Sequence, residues 1–486
     1  MDRLVDEGRL PNLAALRRAG QSVALEEELP GAAYTTLYTG LPLAEHGVHF
    51  PLQWSPAAQT AVPSDALMEK AMTRSVFRRL AAAGLRAVVL DPTECVPHEV
   101  EGSVLVSGVA FRARILLPRW ARPHGAGRTL ERLLGRPPRV DEVFGVADGE
   151  TSLAIAGDLR LAPHRLASAA ERLLEEVRPD LLWITFAAAH QAGHLLWGAP
   201  TAEGSPALHD VYAAVDEALG RVVARLPPGA DILLMSPKGM AANASRIDLL
   251  PGMLERVLNG RSPGQSGTSA ESPLWRLRAG LPQSFRARIA ACLPEALVAA
   301  LLGRLETLGR DWSRTRAFVP PCDVYGFVRF NLAGREAKGT VPDSSAAALA
   351  EEIALGLASF HDLGGTADGA PCVDLVAPPA GAAGRASWLL PDLLVHWNAN
   401  PASGLLGVRS NRFGEVLRRG AGTGRTGNHR PGTWLTVLPG SERTRADARL
   451  AGSPATARLE DVAATICELL GGDREGLPGA PLAFRH

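Results

Sequence analysis

The sequence predicts an α/β fold: a mostly parallel, doubly wound sheet flanked by helices, with a small α+β module inserted late in the chain. Three observations carry this. Apolar runs of strand length end at turn signals, amphipathic helical stretches precede them, and residues 318–385 break the pattern with strands and a helix of their own.

The strand candidates are Ala87–Leu90, Leu181–Phe186, Ile232–Met235 and the weaker Leu393–Trp397. Near-continuous apolar runs suit strands buried on both faces. The first helical stretch, Leu67–Ala83, sets Met72, Val76, Leu80 and Ala83 on one stripe, with Arg78 and Arg79 off it. Pro163–Val177 precedes the second strand, and Pro163 suits a helix's first turn. Leu208–Leu226 precedes the third. Residues 246–317 read as mostly helical, with a Ser-, Gly- and Pro-rich loop at Asn259–Ser272. In the inserted module Phe327–Asn331 and Cys372–Val376 read as strands and Ser344–Ser359 as a helix. The Pro-, Ala- and Gly-rich joint Pro378–Gly384 marks its end. The expected organisation is therefore a core over 1–245, a helical insertion over 246–317, the module over 318–385 and the rest of the core over 386–486.

Composition bounds the function. In 486 residues, 51 basic and 51 acidic side chains cancel, so no charge footprint for nucleic acid or an anionic membrane exists. No apolar stretch reaches 18 residues, so no membrane span is expected. The five cysteines are widely spaced and form no C-x-x-C pair. That points to reduced cytoplasmic thiols rather than a disulfide scaffold or a cysteine–zinc knuckle. Lysine occurs at positions 70, 238 and 338 only, so a lysine at a suspected site carries weight.

Several separated segments occur in a telling order. Leu10-Pro11-Asn12-Leu13 leads to Leu16 and Gly20. Thr39-Gly40 is followed by His46-Gly47, with Pro42 between. Then come Val104-Leu105-Val106-Ser107-Gly108, Asn331-x-x-Gly334-Arg335-Glu336, Pro391-Asp392-Leu393 and Gly427-Asn428-His429-Arg430. Together they resemble the type I phosphodiesterase / nucleotide pyrophosphatase family, whose fold is that of the alkaline phosphatase superfamily. The resemblance implies two divalent cations, typically zinc, a threonine nucleophile, and ligand sets of carboxylates and imidazoles.

Carried over position by position, that chemistry is incomplete. The resemblance implies a strand and a metal-binding aspartate ahead of the opening helix. The chain starts inside that helix, so either the reading frame begins late, the favoured expectation because a lost core strand would leave backbone groups unpaired, or the first strand has been lost. Pro30 stands where the nucleophile is expected; Thr35 and Thr36 are the nearest hydroxyls, candidate substrate contacts that better suit the turn and helix start behind the site. Pro237 and Lys238 replace an Asp-His ligand pair. His190 replaces an aspartate four residues before His194, which matches the family histidine. His429 is the intact final ligand, and Arg430 beside it is a candidate substrate contact.

One metal site thus survives, as His190, His194 and His429, an arrangement known for zinc. Lys238 is expected where a second cation would sit, as charge clamp or general base. His46 is expected to hold its turn, and Asp216, Arg335 and Glu336 to serve packing. The expected function is a diverged phosphoric ester hydrolase with one zinc ion and a small anionic substrate. The alternative is a non-catalytic descendant that binds a small anion or a partner protein.

Overall fold

The computed structural model describes residues 1–26, 29–140, 149–198, 204–260, 310–418, 422, 424–440 and 456–482. Two four-stranded sheets form the core. The first has the order β4-β3-β2-β5: Trp120–Arg122 (β4), Val104–Ser107 (β3), Ala87–Leu90 (β2) and Leu181–Ile184 (β5). β2 pairs in parallel with β3 and β5, whereas β4 is antiparallel to β3. The second has the order β10-β1-β9-β6: Thr456–Ala457 (β10), Gln21–Leu25 (β1), Trp434–Leu438 (β9) and Ile232–Ser236 (β6). Here β9 runs antiparallel to both β1 and β6. The expected sheet, mostly parallel, is met by β2, β3 and β5 and by β1 with β10, while β4 and β9 run antiparallel. An apolar run buried on both faces reads alike in either direction, so the sequence could not show this.

β5 and β6 each form the edge of their sheet. Both are apolar, yet every residue in them is only partly buried, unlike β2, which is fully buried.

The helices follow from local chemistry. α1, Pro11–Ala19, begins with proline, whose missing N–H costs nothing there. The buried Asp216 carboxylate accepts bonds from the backbone N–H groups of Asn12 and Leu13, at 3.1 and 2.7 Å. α2, Ala33–Thr39, stops at Gly40, and the short helix Leu43–His46 stops at Gly47; both glycines adopt positive φ, 65° and 70°. The two glycines of the Thr-Gly and His-Gly pairs are thus helix stops. His46 holds the turn: its Nε2 meets Thr36 Oγ1 at 3.0 Å and its Nδ1 accepts from Val48 N at 3.0 Å.

Two helices differ from expectation. The stretch 67–83 is two helices, Asp65–Met72 and Val76–Ala82, because the Ser75 hydroxyl caps the second by accepting from Arg78 N. Pro163 lies inside α3, Gly149–Val177, rather than starting it; one missing N–H bond is tolerated in a helix of 29 residues that packs along α5, Pro206–Val223. The helical reading of 261–309 lies outside the described residues. Among the described residues no helix is long and apolar enough to cross a membrane.

Residues 317–417 form further sheets. Leu393–Trp397 pairs with Gly326–Phe330 and Val373–Ala377 here, not with the core strands it was expected to join. Its apolar run carries no information about its partner. Two of the ordered motifs meet in this region: Arg335 donates to both Asp392 oxygens at 2.7 Å, while Glu336 accepts from Arg329 and from Trp54 Nε1. Arg246 reaches from the end of the core into this region, donating to both oxygens of Asp362 at 2.9 and 2.7 Å, and both side chains are 0% exposed. Removing one partner strands a buried charge, so Asp362→Ala should lower the unfolding free energy by about 3–5 kcal/mol in a urea melt.

Candidate metal centre

Three histidines converge from two elements. α4, Ala187–Leu195, starts three residues after β5 ends and places His190 and His194 on one face, four residues apart. The third comes from the ribbon made by Gly239–Ala242 (β7) and Gly427–Arg430 (β8), in which His429 lies opposite Met240. Gly427 permits the approach: a Cβ there would sit 2.1 Å from the Gly193 carbonyl oxygen of α4.

The three rings form an equilateral triangle, each pair of centroids 4.8 Å apart. Their ligand atoms all lie within 4.8 Å of one another, and this is the one such cluster among the described residues. His190 Nε2 and His194 Nε2 are 3.2 Å apart. Two nitrogens bound tetrahedrally at 2.0–2.1 Å would stand about 3.3–3.4 Å apart, so the spacing fits a shared ion. His194 Nδ1 faces the Gly427 carbonyl at 3.1 Å and His429 Nδ1 the Gly239 carbonyl at 3.4 Å. Each carbonyl can only accept, which assigns the proton to Nδ1 and leaves Nε2 a lone pair for a metal. Burial holds all three imidazoles well below the ordinary histidine pKa, reinforced by the cations Lys238 and Arg425. The donor set is thus neutral and fits a divalent cation.

Lys238 follows the edge strand β6, in the turn before β7. Its side chain is 6% exposed. Nζ donates to Glu94 Oε1 and Oε2 at 3.2 and 3.3 Å and lies 4.4 Å from the centre of the Tyr34 ring. Burial lowers the pKa of this lysine, and Glu94 opposes that shift. Glu94 is itself held firmly. Its φ of 52° lies in the left-handed region, as does the 51° of Asp91, and its N–H donates to Leu116 O. The Asp91 carboxylate accepts from Val109 N and Ala110 N at 2.7 and 2.9 Å. Such backbone persists only where its surroundings determine it.

Arg425 forms an ion pair with Asp323, whose other oxygen accepts from Asn428 Nδ2. The sequence reading missed Glu94, Tyr34, Asp323 and Arg425. The lone signal for any of them was that Arg425 lies close before His429.

The structure does not gather the remaining candidates with the histidines. Thr35 and Thr36 lie within α2, fully buried, with Thr35 Oγ1 directed at Met68 Sδ and Thr36 Oγ1 at His46. Arg430 is exposed, and as the strand neighbour of His429 it points to the opposite face.

A model of the type I phosphodiesterase / nucleotide pyrophosphatase family matches residues 1–259. The chain belongs to that family. No curated protein matches it. Among solved structures, phosphonoacetate hydrolase from Sinorhizobium meliloti 1021, in complex with phosphonoacetate, superposes with a TM-score of 0.51 at 17% identity, over 96% of this chain and 92% of that one. Alkaline phosphatase PafA superposes with a TM-score of 0.50 at 11% identity, over 97% of this chain and 93% of that one. At these identities the likeness is one of fold.

Buried neutral histidines tie this family member's stability to pH. Burial also lowers His46 to about 3 and His49 to about 4. The unfolded chain takes up protons near the ordinary value of about 6.5 and the folded one only well below it. Stability of the metal-free protein should therefore be complete above about pH 6.5 and fall as the pH drops beneath it. Urea midpoints measured against pH in a chelator should show this slope, and it should be shallower in His194→Gln.

Proposed function

We propose that this chain is a phosphoric ester hydrolase-type member of its family that uses one zinc ion, held by His190, His194 and His429, on a small anionic substrate. The observation that carries the reading is the triangle of rings, with the far nitrogens of His194 and His429 tied to carbonyls. Zinc bound there would supply a Lewis acid for a substrate oxygen or lower the pKa of a water.

The chain's own residues have distinct parts. His194 and His429 keep their protons on Nδ1, which fixes ring orientation. Burial lowers the pKa of Lys238, which suits a base, while both Glu94 oxygens favour its protonated form, which suits a charge clamp. Arg425, steadied by Asp323, adds a second positive charge near all three rings.

A second reading, a non-catalytic anion binder, draws support from Pro30, Pro237 and Lys238 standing where nucleophile and ligands are expected. The hydroxyls nearest Pro30 are spent on internal contacts.

Elemental analysis of the purified protein decides between occupied and empty. Close to one zinc per chain is expected, lost in a folded His194→Ala variant. Zinc content unchanged in that variant would refute the three-histidine site. Zinc without turnover of any phosphoric ester in a broad screen would favour the binder.

A further inference from the structure

A whole-chain charge of zero hides a local surplus. Residues 112–139 hold eight arginines and a single acid, Glu131. Two of the arginines are matched. Arg119 donates to both Glu131 oxygens, at 2.8 and 2.7 Å, and Arg122 Nε lies 2.6 Å from Glu99 Oε1. Arg128, Arg132 and Arg136 are exposed and meet no carboxylate among the described residues; Arg132 donates to Thr129 Oγ1 at 3.3 Å.

The helix His124–Leu134 explains where these cations stand. Leu130 is its buried anchor, and Glu131 is turned toward Arg119. Arg128 and Arg132 lie one turn apart on the opposite side, and Arg136 comes four residues later, just past the Gly135 that ends the helix. The charges on the outward face are therefore all positive.

Large aliphatic side chains stand among them. Leu133 of the same helix is 57% exposed, Ile115 56% and Leu161 of α3 57%. Both neighbours border the helix. The loop with Ile115 is tied to it at each end: the Arg112 backbone bonds to Pro138 and Val140 beyond the helix, and the Arg119 side chain reaches Glu131. Leu161 lies one turn before Arg165, whose guanidinium donates to the carbonyls of Leu134 and Gly135. Exposed apolar side chains set in a basic surface mark an interaction site. Single-stranded nucleic acid would call for aromatic platforms on which bases stack, but Phe111 and Trp120, the aromatic residues of this stretch, are both buried. Leucine and isoleucine instead enter the acyl boundary of a bilayer while arginines stay with the head groups.

We propose that this face, Arg128, Arg132 and Arg136 with Ile115, Leu133 and Leu161, docks the protein on the surface of an anionic lipid bilayer. The docking is peripheral and does not depend on how the metal centre is read.

Co-sedimentation of the full chain with lipid vesicles tests it. The probes are vesicles of phosphatidylcholine alone and of phosphatidylcholine with about 30% phosphatidylglycerol, at about 0.1 M salt. Binding to the anionic vesicles should exceed that to the neutral ones at least about tenfold, since each arginine near such a surface adds to the attraction. Reversing Arg128→Glu and Arg132→Glu together should cut it at least about tenfold. Arg385→Glu, a reversal at a side chain 90% exposed outside this face, should change it less than about twofold. Leu133→Ser with Leu161→Ser keeps every charge and should weaken binding several-fold through lost apolar burial. All these side chains are exposed, so each variant should keep the wild-type urea midpoint closely. Equal binding to the two vesicle types, or none to either, overturns the inference. So does vesicle binding left unchanged by the double reversal or by the two serines. A single-stranded oligonucleotide bound through the same arginines, without uptake by anionic vesicles, would overturn it in favour of a nucleic-acid site.

Discussion

Three imidazoles packed within contact of one another, His194 buried and His190 and His429 partly buried, cannot be charged together. Much else at the site answers to that constraint. Carbonyl groups of Gly427 and Gly239 take the outer protons of His194 and His429, and both cations nearby are met by carboxylates. The backbone meets the same demand. α4 follows directly on β5, and the glycine at 427 lets the β8 strand lie against that helix closely enough for His429 to join the pair.

Much of the local structure was legible in the sequence. Ala87–Leu90 and Leu393–Trp397 have the bounds read from their apolar runs, and His190 and His194 were picked out by the positions they hold in the family resemblance, four residues apart and so on one face if helical. Convergence of His429 with them was legible only through the family resemblance, since 235 residues separate it from His194 in a way no periodicity records. Glu94, Tyr34, Asp323 and Arg425 escaped because each acts through a partner distant in sequence. Glu94 lies 144 positions from Lys238, and Asp323 102 from Arg425. Sheet direction and the partners of Leu393–Trp397 escaped for a related reason: hydrophobic pattern specifies burial, not pairing.

Several motifs that carry the resemblance turn out to be architectural. The glycines after Thr39 and His46 end helices in the left-handed region, Arg335 and Asp392 clasp one another, and Glu336 is buried between Arg329, Arg335 and Trp54. The frame of the family is therefore retained by residues that hold helices and sheets in place. Fold and chemistry can diverge at different rates because different residues carry them.

β5 and β6 are the rims of the two core sheets, apolar and incompletely covered, and His190 and Lys238 hang just beyond their C-terminal ends. A rim strand offers a row of backbone donors and acceptors to any extended chain. Chain added there would press on the supports of an imidazole and an ammonium that share one cluster. Were an ion held by that cluster, chain added at the rim and the ion would each shift affinity for the other by the same factor.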